Sequence, residues 1–338
     1  MYFFNGNSPV LTIVVPCFNE EAVLHETTRR LTEILDKLIY NNVVSKESTM
    51  MFVDDGSKDN TWNIIEELNR NNSFVKGVKL ARNVGHQNAL LAGLLIAKEN
   101  ADCVISIDAD LQDDVNAIEK FMEKYYEGYE IVYGVREERK TDTFFKRNTA
   151  QAFYKLMAKM GVNIVYNHAD YRLLSKRVLN HLSEFRESNL FLRGIIPLIG
   201  FKSINVYYVR NERFAGESKY PLKKMIKFAF DGITSFSIAP IRIITLIGFL
   251  FFFLSILTSV YAVIQKFIGN TLSGWTSIML SIWFIGGFQL MGIGLVGEYI
   301  GKIFNEVKGR PKYIVEVSHY SNNGTQQRNH QITASLST

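Results

Sequence analysis

Val104-Ile105-Ser106-Ile107-Asp108-Ala109-Asp110-Leu111-Gln112 is the stretch on which the reading of this chain turns. A short apolar run bounded by polar residues predicts a buried strand. Two carboxylates leave that strand with one residue between them. Paired hard oxygen ligands suit Mg2+ or Mn2+, which in turn bridge phosphate oxygens. An acidic turn alone would be ordinary helix-start chemistry, and Asp113 or Asp114 can cap the next helix. Asp108 and Asp110 are not needed for that role.

The same pattern repeats outward from this point. Leu11–Val15, Met50–Val53 and Val75–Leu80 read as strands upstream, and Ile131–Tyr133 as one downstream. Helical spacing fills the gaps over Glu20–Leu38, from Thr61, and over His86–Lys98. Strands alternating with helices predict βαβ units and a mostly parallel α/β sheet. Such sheets bind ligands at the carboxyl ends of their strands. Pro16–Glu20, Asp54–Ser57, Arg82–Gly85 and Asp108–Gln112 are therefore the candidate site segments. In Val53-Asp54-Asp55-Gly56-Ser57, a carboxylate can accept hydrogen bonds from a base imide or a ribose hydroxyl, and Gly56 permits a tight turn. In Val15-Pro16-Cys17-Phe18-Asn19-Glu20, Pro16 is expected to end the strand, Phe18 offers an apolar face, and Asn19 or Glu20 opens the helix. No Gly-x-Gly-x-x-Gly follows the first strand and no Gly-x-x-x-x-Gly-Lys-Ser/Thr occurs, which argues against a dinucleotide oxidoreductase and a P-loop NTPase. The six histidines form no metal-like spacing.

With 338 residues, 47% hydrophobic and 21% charged, the chain is neither a disordered polar protein nor a disulfide scaffold. Cys17 and Cys103 read as reduced core residues. The average hides a split. Arg242 and Lys266 enclose 23 uncharged residues, and Lys266 and Glu298 enclose 31. About 20 apolar helical residues cross a bilayer, so two spans are expected, near 240–264 and 275–297. Lys202–Phe230 holds seven Lys or Arg against two Asp or Glu, a local +5 equal to the net charge of the whole chain. A basic collar before a span attracts anionic lipid head groups. Nucleic acid is not expected as a partner, since no zinc spacing or RNA-binding aromatic motif is present. Amphipathic basic helices are expected near 147–160 and 218–236, at the bilayer interface. The loop Gln265–Gly274 carries only Lys266, while Lys302, Lys308, Arg310 and Lys312 follow the second span. The positive-inside rule puts the head and both termini in the cytoplasm, at a cell membrane crossed twice. The tail from Ser318 is polar and reads as disordered.

These motifs resemble the signature of glycosyltransferase family 2 with a GT-A fold, and within it the bacterial polyprenyl-phosphate glycosyltransferases of the bactoprenol glucosyltransferase type. The likeness runs on through Arg82-Asn83-Val84-Gly85-His86-Gln87-Asn88-Ala89-Leu90, Gly134-Val135-Arg136, Lys146-Arg147-Asn148 and Asp170-Tyr171-Arg172-Leu173. It continues in Phe191-Leu192-Arg193-Gly194 and Arg213-Phe214-Ala215-Gly216-Glu217-Ser218-Lys219-Tyr220-Pro221, and covers roughly residues 9–312. It implies a cytoplasmic GT-A catalytic domain over 1–217, a juxtamembrane amphipathic helix over 218–237, two transmembrane helices within 238–300, and a C-terminal segment and disordered tail over 301–338. The implied reaction is inverting transfer of glucose or N-acetylglucosamine from a UDP-sugar to undecaprenyl phosphate, giving a lipid-linked donor for surface polymers. Asp110 and Gln112 would hold Mg2+ or Mn2+. Asp108 would lie between nucleotide and sugar. Asp54 or Asp55 would read the base or ribose with Pro16, Asn19, Glu20 and Arg82. Arg136, Arg147, Arg213, Ser218 and Lys219 match positions that bind the lipid phosphate, three of them as the catalytic arginines Arg136, Arg147 and Arg213. The resemblance also implies a homo-oligomer. Two rivals are a processive polysaccharide synthase, which needs more spans and a Gln-x-x-Arg-Trp motif absent here, and a non-catalytic lipid-phosphate binder.

Overall fold

A computed structural model describes residues 8–137, 168–185, 187, 191–210, 239–268 and 274–320. The elements are β1 (Leu11–Cys17), α1 (Leu24–Tyr40), β2 (Thr49–Asp54), α2 (Thr61–Asn71), β3 (Val75–Leu80), α3 (His86–Ala97), β4 (Cys103–Ser106), α4 (Ala117–Tyr126) and β5 (Ile131–Arg136). They continue with β6 (His168–Ser175), α5 (Lys176–Leu182), α6 (Leu192–Leu198), β7 (Ser203–Tyr208), α7 (Ala239–Phe267), α8 (Trp275–Val307) and β8 (Val315–Ser318). The chain divides into two compact units, one holding the sheet and Pro311 onward, the other holding α7 and α8.

One eight-stranded sheet runs in the order β7-β5-β6-β4-β1-β2-β3-β8. Its centre is parallel, with β1 between β2 and β4 and β2 beside β3. Every residue of β1 is buried, as expected of a strand covered on both faces. Helix α3 lies so close to the sheet that a Cβ on Gly93 would stand 2.4 Å from Val14 Cγ1 and 2.8 Å from Val53 Cγ2. Cys17 and Cys103 are free thiols in this interior, and burial pushes both well above the ordinary thiol range. Pro16 does not end β1, contrary to expectation. The strand continues one residue further, pairing Pro16 with Val53 and Cys17 with Asp54.

Two further strands were not legible beforehand. β6 inserts antiparallel between β4 and β5, and β7 adds parallel to the outer side of β5. The expectation of disorder from Ser318 also fails over its first residues. β8 pairs antiparallel with β3, His319 stacks on Trp62 at 5.8 Å, and Tyr320 is 8% exposed. The Tyr320 hydroxyl lies 2.8 Å from Thr12 Oγ1 and donates to Ala97 O at 3.3 Å. This strap covers an edge that would otherwise present unpaired backbone groups. Tyr320→Ala should destabilise the sheet unit by about 3 kcal/mol, and Tyr320→Phe by about 1 kcal/mol. Thermal unfolding checks both; two variants that melt with the wild type would show the strap to be ornamental.

In the second unit, α7 and α8 have 29 and 33 residues, about 43 and 50 Å at 1.5 Å per residue. Within it, a Cβ on Gly292 of α8 would stand 3.6 Å from Ile244 Cγ2 of α7. Among the described residues, Phe284–Val307 is long and apolar enough to cross a membrane. The expected amphipathic helices near 147–160 and 218–236 lie outside the described residues.

Candidate active site

The loops after β1 and β2 are tied together by side chains. Asn19 sits in the left-handed region at φ 53°; its N–H donates to Ser57 Oγ at 3.0 Å and its Oδ1 accepts from Lys58 N at 2.8 Å. The Glu20 N–H donates to Thr61 Oγ1 at 2.9 Å, and the Asn60 N–H to Glu21 Oε2 at 2.9 Å. These bonds tie Asn19 and Glu20 to the segment that follows Asp54, while the β1–β2 pairing sets Pro16 against Val53.

Asp54 and Asp55 have separate roles in this arrangement. Asp54, fully buried at the end of β2, accepts from Ser57 N at 3.2 Å through Oδ1. Its Oδ2 is buried with no hydrogen-bond partner among the described residues. Burial pushes the carboxyl above its usual range, against the Ser57 hydrogen bonds and the Lys79 charge. An unsatisfied buried oxygen at a strand's carboxyl end is the kind of group that a ligand donor satisfies. Asp55 instead grips the next loop, accepting from Val84 N at 2.7 Å and Gly85 N at 3.0 Å. Gly56 makes that docking possible, at φ 65° with a hypothetical Cβ only 2.6 Å from Asn83 N. Arg82, at the head of the docked loop, is exposed.

The turn after β4 has its own constraint. Thr27 Oγ1 donates to Ala109 O at 2.8 Å, and the Gln112 N–H donates to Asp110 Oδ1 at 3.2 Å. Leu111 between them adopts φ 57°, a conformation that costs a leucine about 1–2 kcal/mol and is held here by burial of its side chain. Gln112 Oε1 receives a hydrogen bond from Arg210 Nη2. Among the described residues no group of three or more His, Cys, Asp and Glu is arranged to hold a metal. The donor set is a carboxylate and an amide oxygen. That fits a hard cation of the Mg2+ class, which keeps waters and takes further oxygens from substrate phosphates. Asp113 does not cap α4, whose N-cap is Asn116. It is buried, accepting from Tyr208 OH at 2.6 Å and from Arg136 Nη2 at 3.1 Å. Arg136 is thereby pinned at the end of β5 with its side chain 24% exposed. Arg147, Arg213, Ser218 and Lys219 lie outside the described residues.

A second charge cluster was missed by the sequence reading. His86, the first residue of α3, has Nε2 3.5 Å from Asp170 Oδ2 and 3.7 Å from Asp108 Oδ1. Asp170 on β6 also accepts two hydrogen bonds from Arg193, at 3.2 and 3.1 Å, and one from Arg172. Gln87 Nε2 reaches the same carboxylate at 3.4 Å, while Gln87 Oε1 accepts from Leu192 N at 3.1 Å. Burial alone would raise the Asp170 carboxyl, but Arg193, Arg172 and His86 hold it well below the usual range. For His86, burial works against the charge; the Asp170 hydrogen bond and the Asp108 charge outweigh it and raise the imidazole to about 9. Withdrawal from water pushes Asp108 up to about 6; Asp113, Asp170 and Asp110 add to the rise and His86 opposes it. Both His86 and Asp170 fall in stretches that carry the family resemblance, and that placement was the one available hint.

Comparison with known proteins identifies the family. Residues 12–183 match the family model described as Glycosyl transferase family 2, and residues 239–303 match the GtrB C-terminal hairpin. The uncharacterized glycosyltransferase YkoT of Bacillus subtilis is 62% identical over 93% of this chain and 94% of its own length. The SfII prophage-derived bactoprenol glucosyl transferase of Shigella flexneri is 41% identical over 92% of this chain and 99% of its own length. Among solved structures, glucosyl-3-phosphoglycerate synthase from Mycobacterium tuberculosis is 17% identical with a TM-score of 0.42 over 67% of this chain and 76% of that one, too remote a likeness to carry any argument. The strand-end motifs, the mostly parallel GT-A sheet around them and the two family matches agree: the chain belongs to glycosyl transferase family 2 and is a glycosyltransferase.

Proposed function

We propose that this enzyme transfers glucose or N-acetylglucosamine from a UDP-sugar to a polyprenyl phosphate, with inversion, at the cytoplasmic face of a membrane. The observation that carries the reading is the placement of Asp54, Asp108, Asp110 and Gln112 at the carboxyl ends of β2 and β4, the two parallel strands that flank β1, in a chain that also contains α7 and α8. The named relative that acts on bactoprenol aligns over nearly its whole length, which supports a polyprenyl acceptor.

The reaction needs no strong base. A phosphate monoester has its second pKa near 6 and is largely dianionic at neutral pH. One of its oxygens attacks the anomeric carbon, the bond from that carbon to the UDP oxygen breaks, and UDP leaves with the electron pair. Asp110 and Gln112 would hold Mg2+ or Mn2+, which when bound neutralises charge on the diphosphate. Asp54 Oδ2 accepts from the base or ribose, with Pro16, Asn19, Glu20 and Arg82 around it. Asp55 contributes by fixing the Arg82–Gly85 loop. Asp108 accepts from sugar hydroxyls. Arg136, pre-set by Asp113 and Tyr208, joins Arg147, Arg213, Ser218 and Lys219 in clamping phosphate.

In the same reading, α7 and α8 are two transmembrane spans, with the sheet unit and the segment after α8 cytoplasmic. The charge-free runs, the hairpin match and the Lys/Arg asymmetry support this. A reporter fused after Thr338 that reads as extracytoplasmic would overturn the topology. For the activity, purified protein is incubated with undecaprenyl phosphate and a panel of nucleotide sugars, and the lipid product is analysed by mass. A hexosyl-phosphate lipid is expected from UDP-glucose or UDP-N-acetylglucosamine. Nucleotide release that does not depend on the lipid would sink the acceptor assignment.

A further inference from the structure

Arg210, which follows β7 by two residues, was given no role by the sequence. Its Nη2 donates to Gln112 Oε1, the amide oxygen that pairs with Asp110 as the candidate cation ligand. A second cation stands nearby. Burial and the Arg136 charge both weigh against the charge on Arg210, with Asp113 and Asp110 pulling the other way. Asp113 is already engaged by Arg136 and Tyr208, and Asp110 accepts from the Gln112 N–H. One guanidinium is thus bonded to Gln112 and a second to Asp113, the residue that follows it, and the nearest carboxylates already have partners. Such an arrangement favours the arrival of an anion.

We propose that Arg210 is a positioning residue that competes with the divalent cation for Gln112 and, once displaced, binds the diphosphate of the donor. The proposal rests on the reading of Asp110 and Gln112 as the cation pair. A doubly charged ion on Gln112 Oε1 repels a guanidinium bonded to the same oxygen. The displaced guanidinium is then within reach of the phosphate oxygens that share the cation, and its planar donor fork suits them. Metal alone must break the Arg210–Gln112 bond without compensation, whereas metal arriving with a diphosphate supplies a new partner. Metal and nucleotide therefore bind synergistically, and by linkage each tightens the other by the same factor.

The test measures binding on the full-length protein in detergent. Mn2+ affinity is titrated without nucleotide, and UDP affinity is titrated with Mn2+ present. Arg210→Met should bind Mn2+ alone about threefold more tightly and bind UDP with Mn2+ about tenfold more weakly. A merely structural role would weaken both. In a Gln112→Ala background the gain in Mn2+ affinity should vanish, because the competed oxygen is gone. Arg210→Lys should recover part of the UDP affinity. Mn2+ affinity in Arg210→Met that is unchanged or weaker, while Asp110→Asn loses Mn2+, would overturn the proposal and leave the metal reading intact. Full Mn2+ affinity in Asp110→Asn would remove the metal reading and the proposal with it. Wild-type UDP affinity with a raised KM for polyprenyl phosphate in Arg210→Met would assign the arginine to the acceptor and overturn the donor half.

Discussion

Asp110→Asn should lower sugar transfer by about three orders of magnitude, equivalent to about 4 kcal/mol of lost transition-state stabilisation. The substitution is nearly isosteric. An asparagine Oδ1 can still accept from the Gln112 N–H, so the turn around left-handed Leu111 is retained. What is lost is the negative charge and one hard anionic oxygen in the proposed cation pair. Donor binding should fall with turnover, because the diphosphate would face Asp108 and Asp113 without a neutralising cation. The check is turnover at saturating Mg2+ and Mn2+, alongside a melting curve matching that of the wild type. Near-normal turnover in a folded variant would remove Asp110 from the chemistry.

The sequence carried the parallel half of the sheet and the strand-end motifs, because both have local signatures. β1 to β4 are short apolar runs followed by polar turns, and Asp54, Asp108, Asp110 and Gln112 stand where that pattern places them. The antiparallel strands β6 and β8 have no such signature. β6 reads His168-Ala169-Asp170-Tyr171-Arg172, and a charge pair inside a strand argues against burial until its partners are known. Arg172 is nevertheless fully buried, because Asp170 two residues earlier and Arg193 on α6 complete a network that no local pattern encodes. Division of labour within Asp54-Asp55 was equally hidden. Whether a carboxylate holds a ligand or a loop depends on Val84 and Gly85, about 30 residues away in sequence. β8 was missed because four alternating residues after a polar turn carry little information; its stability comes from Tyr320 reaching Thr12 across the sheet.

Asp170→Asn should destabilise the sheet unit by about 3–5 kcal/mol, the cost of removing one member of a buried charge network. Arg172 is 0% exposed, and its Nε and Nη1 already have no hydrogen-bond partner among the described residues. Without the Asp170 charge its guanidinium would be a buried cation with no counter-charge in direct contact among the described residues. Arg193 would lose its two-bonded partner, and His86 the nearer of the Asp170 and Asp108 carboxylates. At roughly 2–4 °C per kcal/mol for a domain of this size, the loss corresponds to about 6–20 °C in melting temperature. The pH dependence distinguishes this network from simple packing. The His86 pKa is raised to about 9 in the folded state, above the ordinary value near 6.5. Its contribution to stability is therefore complete below about pH 6.5 and is lost as pH rises through about 9. Asp170 is depressed, so its contribution is present above about pH 3.9, its usual unfolded value, and disappears only as pH falls through its lower folded value. Between pH 6.5 and 9 the wild type should thus lose stability through His86 alone of this pair, and Asp170→Asn should flatten that slope as well as lower the curve. Melting in detergent at pH 6, 7.5 and 9 measures both. A variant that melts with the wild type, or melts lower with an unchanged slope, would uncouple His86 from Asp170 and assign the raised imidazole to Asp108.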